Sequence, residues 1–151
     1  MTTFSLVGEE REVALAEAQS VRAVAGDSRY RDELAFLIAG IEEGEVSVES
    51  EETLEQLVEL GLQAGRIRAL YGPGGEQAAL RLYRRLPRGA ELGASAREVS
   101  KALRALQGRE LESVSVQAIG PGAFTLSLTA GGTELTVRLD RQGARLASVG
   151  V

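Results

Sequence analysis

Three glycine-bearing turns divide residues 111–151 into four short runs of alternating apolar and polar residues, and a chain with that pattern has few ways to fold. Gly120-Pro121-Gly122, Gly131-Gly132 and Gln142-Gly143 are positions where the backbone can take a positive φ without a Cβ clash, as hairpin turns require. A two-residue loop at Gly131-Gly132 places Leu128 opposite Leu135, Leu126 opposite Val137 and Phe124 opposite Leu139. A three-residue loop at Gly120-Pro121-Gly122 places Val114 opposite Leu128, Val116 opposite Leu126 and Ala118 opposite Phe124. The two registers are independent, yet both put the same residues of the shared strand on one face. A slip of one residue would turn every one of them over. A third loop, Arg141-Gln142-Gly143, aligns Val137 with Ala147 and Leu135 with Val149, but it sets Leu139 against Arg145 and points Leu146 outward. The expectation is a four-stranded antiparallel meander with one apolar face. Its other face carries a row of Ser115, Ser127, Thr136 and Ser148, with Gln117, Thr125 and Arg138 beside it, and reads as a solvated surface.

Helical periodicity dominates the chain before this sheet. Residues 9–25 read as a helix with Glu9, Glu10 and Glu12 in its first turn, where the helix dipole favours negative charge. Asp27 or Ser28 can cap a second helix running to Glu43, with Tyr30, Leu34, Leu37, Ile38 and Ile41 at helical spacing. Ser50 can cap a third, whose apolar stripe of Leu54, Leu57, Val58, Ile67 and Leu70 runs to the break at Tyr71-Gly72-Pro73-Gly74-Gly75. Gly61 and Gly65, four apart in that stripe, would let another helix approach closely or else mark a simple kink. A fourth helix spans about residues 76–86 and ends at Pro87. A capping box, Ser95-Ala96-Arg97-Glu98, opens a fifth that Gly108 closes. Phe4 and Leu6 suggest a short strand able to cover a sheet edge, and Val46 and Val48 form a brief alternating run.

At 151 residues the chain is read as one α+β domain, mainly helical over 1–110 and a β-meander over 111–151. About five helices are expected to pack on one face of the sheet. No apolar run approaches the ~20 residues of a membrane span, and residues 1–7 lack the basic and apolar regions of a secretory leader, so the expected setting is the cytoplasm, away from membranes.

The chain has no Cys and no His. That removes thiol nucleophiles, disulfides, Cys/His zinc sites and Ser-His-Asp triads. Lys101 is the sole lysine, and its neighbours Arg97 and Arg104 place it on an exposed helix face. The acidic run Glu42, Glu43, Glu45, Glu49, Glu51 and Glu52 lacks calcium-loop spacing and reads as a solvated helix end and linker. No catalytic residue, metal site or cofactor is assigned from the sequence.

Charge is divided unevenly. Residues 1–65 hold 4 basic and 15 acidic side chains, residues 66–109 hold 10 basic and 3 acidic, and residues 110–151 hold 3 basic and 4 acidic. The acidic and basic segments are expected to face each other, within one chain or across a symmetric dimer. An aromatic content of 4% and the acidic remainder speak against a nucleic-acid partner.

The leading expectation is therefore a non-catalytic interaction or assembly protein that forms a homo-oligomer, with room for an unrelated protein partner. Two alternatives stand beside it. One is a small-ligand or anion-binding domain in which the turn at 72–75 offers the backbone N–H groups of Gly74 and Gly75 beside Arg66 and Arg68. The other is an enzyme working with carboxylates and arginine alone.

Overall fold

The computed structural model of the chain describes residues 3–150. Five helices precede a four-stranded antiparallel sheet, an α+β arrangement. The chain divides into two compact units, Met1–Gly89 and Ala90–Val151, and each is described by itself.

In the first unit the order is β1 (Thr3–Ser5), α1 (Gly8–Val24), α2 (Ser28–Glu43), β2 (Glu45–Ser47), α3 (Val48–Gln63) and α4 (Arg66–Arg85). Local signals account for most of these bounds. The Asp27 carboxylate accepts the Arg29 N–H at 2.9 Å and opens α2, and Gly44 closes it in the left-handed region, φ 84°. Arg11 of α1 reaches across to donate to the carbonyl oxygens of Ile41 and Glu42 in the last turn of α2, where the Ile41 oxygen also accepts the Gly44 N–H. The apolar stripes of α1 to α4 meet in one core, where Leu34, Leu37, Ile41, Leu54, Ile67 and Leu82 are fully enclosed. Each such side chain contributes about 1.5–3 kcal/mol relative to its exposed state.

Two expectations for this unit are corrected. The N-terminal strand covers no edge of the large sheet, because β1 pairs antiparallel with β2 in a two-stranded sheet of its own, Phe4 opposite Val46. A methyl group at Gly40 would lie 2.9 Å from the Glu45 carbonyl oxygen, so the chain leaving α2 folds back tightly over its last turns. The third helix stops near Gln63 rather than running to residue 70. Gly65 takes φ 71°, which reverses the chain and starts a new helical phase, so Ile67 is buried while Leu70 is exposed. The close approach expected at Gly61 is present, since a methyl there would lie 2.7 Å from the Ile67 side chain of α4 and 3.2 Å from the Glu17 carboxylate of α1, whereas Gly65 is the break between α3 and α4. The break expected at Tyr71-Gly72 is present, with Gly72 at φ 71° and ψ −175° between two helical stretches of α4.

The second unit contains the greater part of α5 (Pro87–Leu103), a 3-10 turn at Arg104–Leu106, and strands β3 (Leu111–Gly120), β4 (Ala123–Ala130), β5 (Thr133–Asp140) and β6 (Gly143–Gly150) in the sheet order β3-β4-β5-β6. The capping box expected at Ser95 does not form. Pro87 both ends the preceding helix and opens α5, since its fixed φ suits the first helical position and its missing N–H costs nothing there. Ser95 consequently lies inside the helix, its hydroxyl donating to the Leu92 carbonyl at 2.9 Å.

Both registers derived from the first two turns are present, residue for residue, over Val114↔Leu128 to Ala118↔Phe124 and Phe124↔Leu139 to Leu128↔Leu135. The third is correct only at its far end. Leu135↔Val149 and Thr136↔Ser148 hold, but Val137 then faces Leu146, Leu139 faces Ala144 and Asp140 faces Gly143. The loop is thus Arg141-Gln142, and the extra residue is absorbed by a bulge next to Val137. Bulging keeps an apolar partner opposite both Val137 and Leu139 and sets Arg138 opposite Arg145, which the unbulged pairing could not do.

Candidate functional site

The apolar side chains of β3 to β6 share one face of the sheet by this register, and the second unit covers only part of it. Leu103 and Leu106 rest on Leu128, Ala130 and Leu135, of which Ala130 and Leu135 are buried. A helix is about 10 Å across, whereas four strands about 4.8 Å apart span roughly 15–20 Å, so one helix leaves a rim uncovered. That rim is Val114 and Val116 of β3, Phe124 of β4, Leu139 of β5, and Leu146 and Val149 of β6, all between 40% and 64% exposed. Leu126, at the centre of the two registers, is only half-buried.

β3 is the extreme case. All ten of its residues are exposed, and its outer edge is unpaired among the described residues. Natural edge strands are usually short, charged or covered, because unpaired N–H and C=O groups are a template for another strand. Glu112 is the only charge on β3. β6 is the better protected edge: it carries Arg145 and lies across the bulge.

On the opposite face the expected row Ser115, Ser127, Thr136 and Ser148 is present, and Gln117, Thr125, Arg138 and Arg145 form the next. Asp140 gathers the two arginines, accepting from Arg138 at 3.0 Å and Arg145 at 2.7 Å, and its other oxygen accepts the Gln142 N–H at 2.9 Å. The Gln142 N–H first, and then the two guanidinium groups, hold the Asp140 carboxyl below its ordinary range.

The residues singled out around the glycine turn lie in the first unit, each arginine beside a carboxylate. Arg66 donates through Nη2 to Glu17, which is wholly buried, and Arg68 stands 3.9 Å from Glu76. The Tyr71 hydroxyl donates to the other Glu17 oxygen at 3.2 Å. Burial first of all raises the Tyr71 phenol above its usual range. Gly75 packs on the Tyr71 side chain, while Gly74 faces open space. Glu17 was not singled out in the sequence, although it stands among Val13, Ala14, Ala18 and Val21 on the buried stripe of α1, and a carboxylate at such a position is itself a signal.

The uneven charge resolves in part into pairs within this unit: Arg81 with Glu9 and Glu10, Arg85 with Glu10, and Arg88 with Glu59. An open groove of about 590 Å³ between α2 and α3, lined by Asp32, Glu33, Glu49 and Glu52 around Phe36, holds further acidic groups. Nowhere among the described residues do three acidic side chains converge closely enough to hold a metal ion. No helix there is long and apolar enough to cross a membrane.

No protein-family model matches the chain, and no curated protein or solved structure matches it significantly. Its own geometry therefore carries the functional argument. The uncovered rim and open edge of the sheet are the feature least accounted for by the folding of the second unit.

Proposed function

We propose that this chain is a non-catalytic cytoplasmic interaction or assembly protein that acts as a homo-oligomer, with the sheet of its second unit as the contact surface. The observation that supports the reading is β3, a ten-residue edge strand exposed along its whole length beside an uncovered apolar rim. At roughly half exposure, the six rim side chains present on the order of 500 Å² of apolar surface in all, divided between the β3 edge with Val114 and Val116, the β6 edge with Leu146 and Val149, and the sheet end with Phe124 and Leu139. Covering the part of it on β3, Val114 and Val116, at about 25 cal/mol per Å² would add to the main-chain hydrogen bonds that an edge strand offers a partner.

The charge layout bears on strength. Several arginines of the middle segment already have carboxylate partners in their own unit, so apolar burial and strand pairing, rather than ion pairs, would supply the affinity. Association should then survive salt. Light scattering coupled to size exclusion at micromolar concentration in about 0.5 M salt, where charges are screened beyond about 4 Å, is expected to show a dimer or larger species. A monomer of 16.0 kDa under those conditions overturns the proposal.

A further inference from the structure

We infer that two copies of this chain pair β3 to β3, antiparallel, about a twofold axis at Ser115, joining two four-stranded sheets into one of eight. The inference rests on the assembly reading and specifies its surface and symmetry. Three observations select this arrangement. The regular part of β3 lies between two irregularities, at Leu111/Ser113 and Ala118/Gly120, so a partner strand must match residues 113–118. With the axis at Ser115, Val114 of each copy lies opposite Val116 of the other, Ser113 opposite Gln117, and Ser115 opposite itself. Apolar then meets apolar on one face and hydroxyl or amide meets its like on the other, so both faces run unbroken across the junction.

Charge permits the same register. Glu112, the strand's only ionised side chain, falls opposite Ala118, so no two carboxylates are forced together. A register shifted by two, with the axis at Val116, would keep valine and alanine opposed but set Ser113 opposite Ile119, inside the irregularity between Ala118 and Gly120, and so break the polar face.

The alternative use of the free edges is less favourable. Pairing β3 of one copy with β6 of the next is heterologous and propagates into an open filament, whereas β3 with β3 closes at two copies. β6 also brings Arg145 and its bulge to the junction. Five to seven paired residues span only about 17–24 Å, so main-chain hydrogen bonds carry much of the contact and the dimer is concentration-dependent in the micromolar range.

The absence of native cysteine makes the test direct. Residues directly opposed in an antiparallel pair have Cα atoms about 4.5–5.5 Å apart, within disulfide reach, while diagonal neighbours do not. In the full chain under mild oxidation, Ser115→Cys is expected to give at least tenfold more disulfide-linked dimer than Ser113→Cys or Gln117→Cys. Ser115→Lys, which sets two ammonium groups face to face at the axis while altering an exposed position, is expected to raise the dimer dissociation constant at least tenfold with the circular dichroism spectrum unchanged. A wild-type dimer that Ser115→Lys leaves intact, with no preferential cross-link at Ser115→Cys, overturns the β3 pairing while assembly through another surface stands. A wild-type chain that remains monomeric throughout overturns both.

Discussion

Arg66→Ala should destabilise the first unit far more than Glu17→Gln, although the two residues share one ion pair. Glu17 is fully buried, and its carboxylate is satisfied by the Arg66 Nη2 on one oxygen and the Tyr71 hydroxyl at 3.2 Å on the other. The Arg66 side chain is 41% exposed, so water reaches one partner and not the other. Removing Arg66 leaves a buried charge with a single neutral donor. Such losses cost about 3–5 kcal/mol for a fully enclosed pair, and the partial exposure of Arg66 discounts that to about 3 kcal/mol. Glu17→Gln keeps the shape and one acceptor oxygen for Arg66, turns the other position into an N–H donor that the Tyr71 hydroxyl can accept, removes the buried charge, and leaves an arginine that water can solvate, a loss of about 1 kcal/mol. The difference of about 2 kcal/mol is close to a thirtyfold change in the unfolding equilibrium. Urea titration followed by tyrosine fluorescence suits the question, because the chain has no Trp and its three tyrosines, Tyr30, Tyr71 and Tyr83, all lie in the first unit. Midpoints should shift with the m value unchanged. Equal losses for the two variants, or a larger one for Glu17→Gln, would refute the idea that the burial of Glu17 gives the pair its weight.

In the sheet, Leu135→Ala should cost about 2–5 kcal/mol as a truncation under the α5 end, Leu126→Ala about 1–2 kcal/mol because that side chain is only half-buried, and Ser127→Ala within about 0.5 kcal/mol, all read from thermal unfolding of the second unit; equal losses would place the register off by one. Gly61→Ala should destabilise despite a gain of up to about 1 kcal/mol in helix propensity, because its methyl would lie 2.7 Å from the buried Ile67 side chain and 3.2 Å from Glu17; a higher melting temperature would refute it. Asp140 has a folded-state pKa below its unfolded value, so its contribution is present above the unfolded pKa and is lost as pH falls through the folded one. Asp140→Asn should therefore flatten the loss of sheet stability on acidification below about pH 4, and an unchanged acid limb would remove Asp140 from the account.

Local backbone demands made the sheet legible. Gly131 and Gly132 take positive φ, 54° and 83°, and a two-residue turn with that geometry leaves no choice of register for the strands beside it. The second helix was legible for a similar reason, since an Asp27 cap, a Gly44 stop and the stripe between them are all written within a few residues of where they act. The turn at Arg141-Gln142 was not, because a bulge restores apolar pairing by displacing one residue, and only the neighbouring strand fixes where the displacement falls. The β1–β2 pair escaped for the same cause: three-residue strands some forty positions apart carry no local periodicity, and they exist because α2 brings their ends together. The glycine-turn arginines illustrate the limit from the other side. Sequence spacing set Arg66 and Arg68 beside a turn, but only packing decided that a carboxylate on α1, forty-nine residues earlier, would be enclosed against Arg66. The alternation of β3 was plain in the sequence, while its exposure was decided by tertiary structure, since a strand's pattern shows which side chains share a face but not whether a helix wide enough to cover that face lies over it.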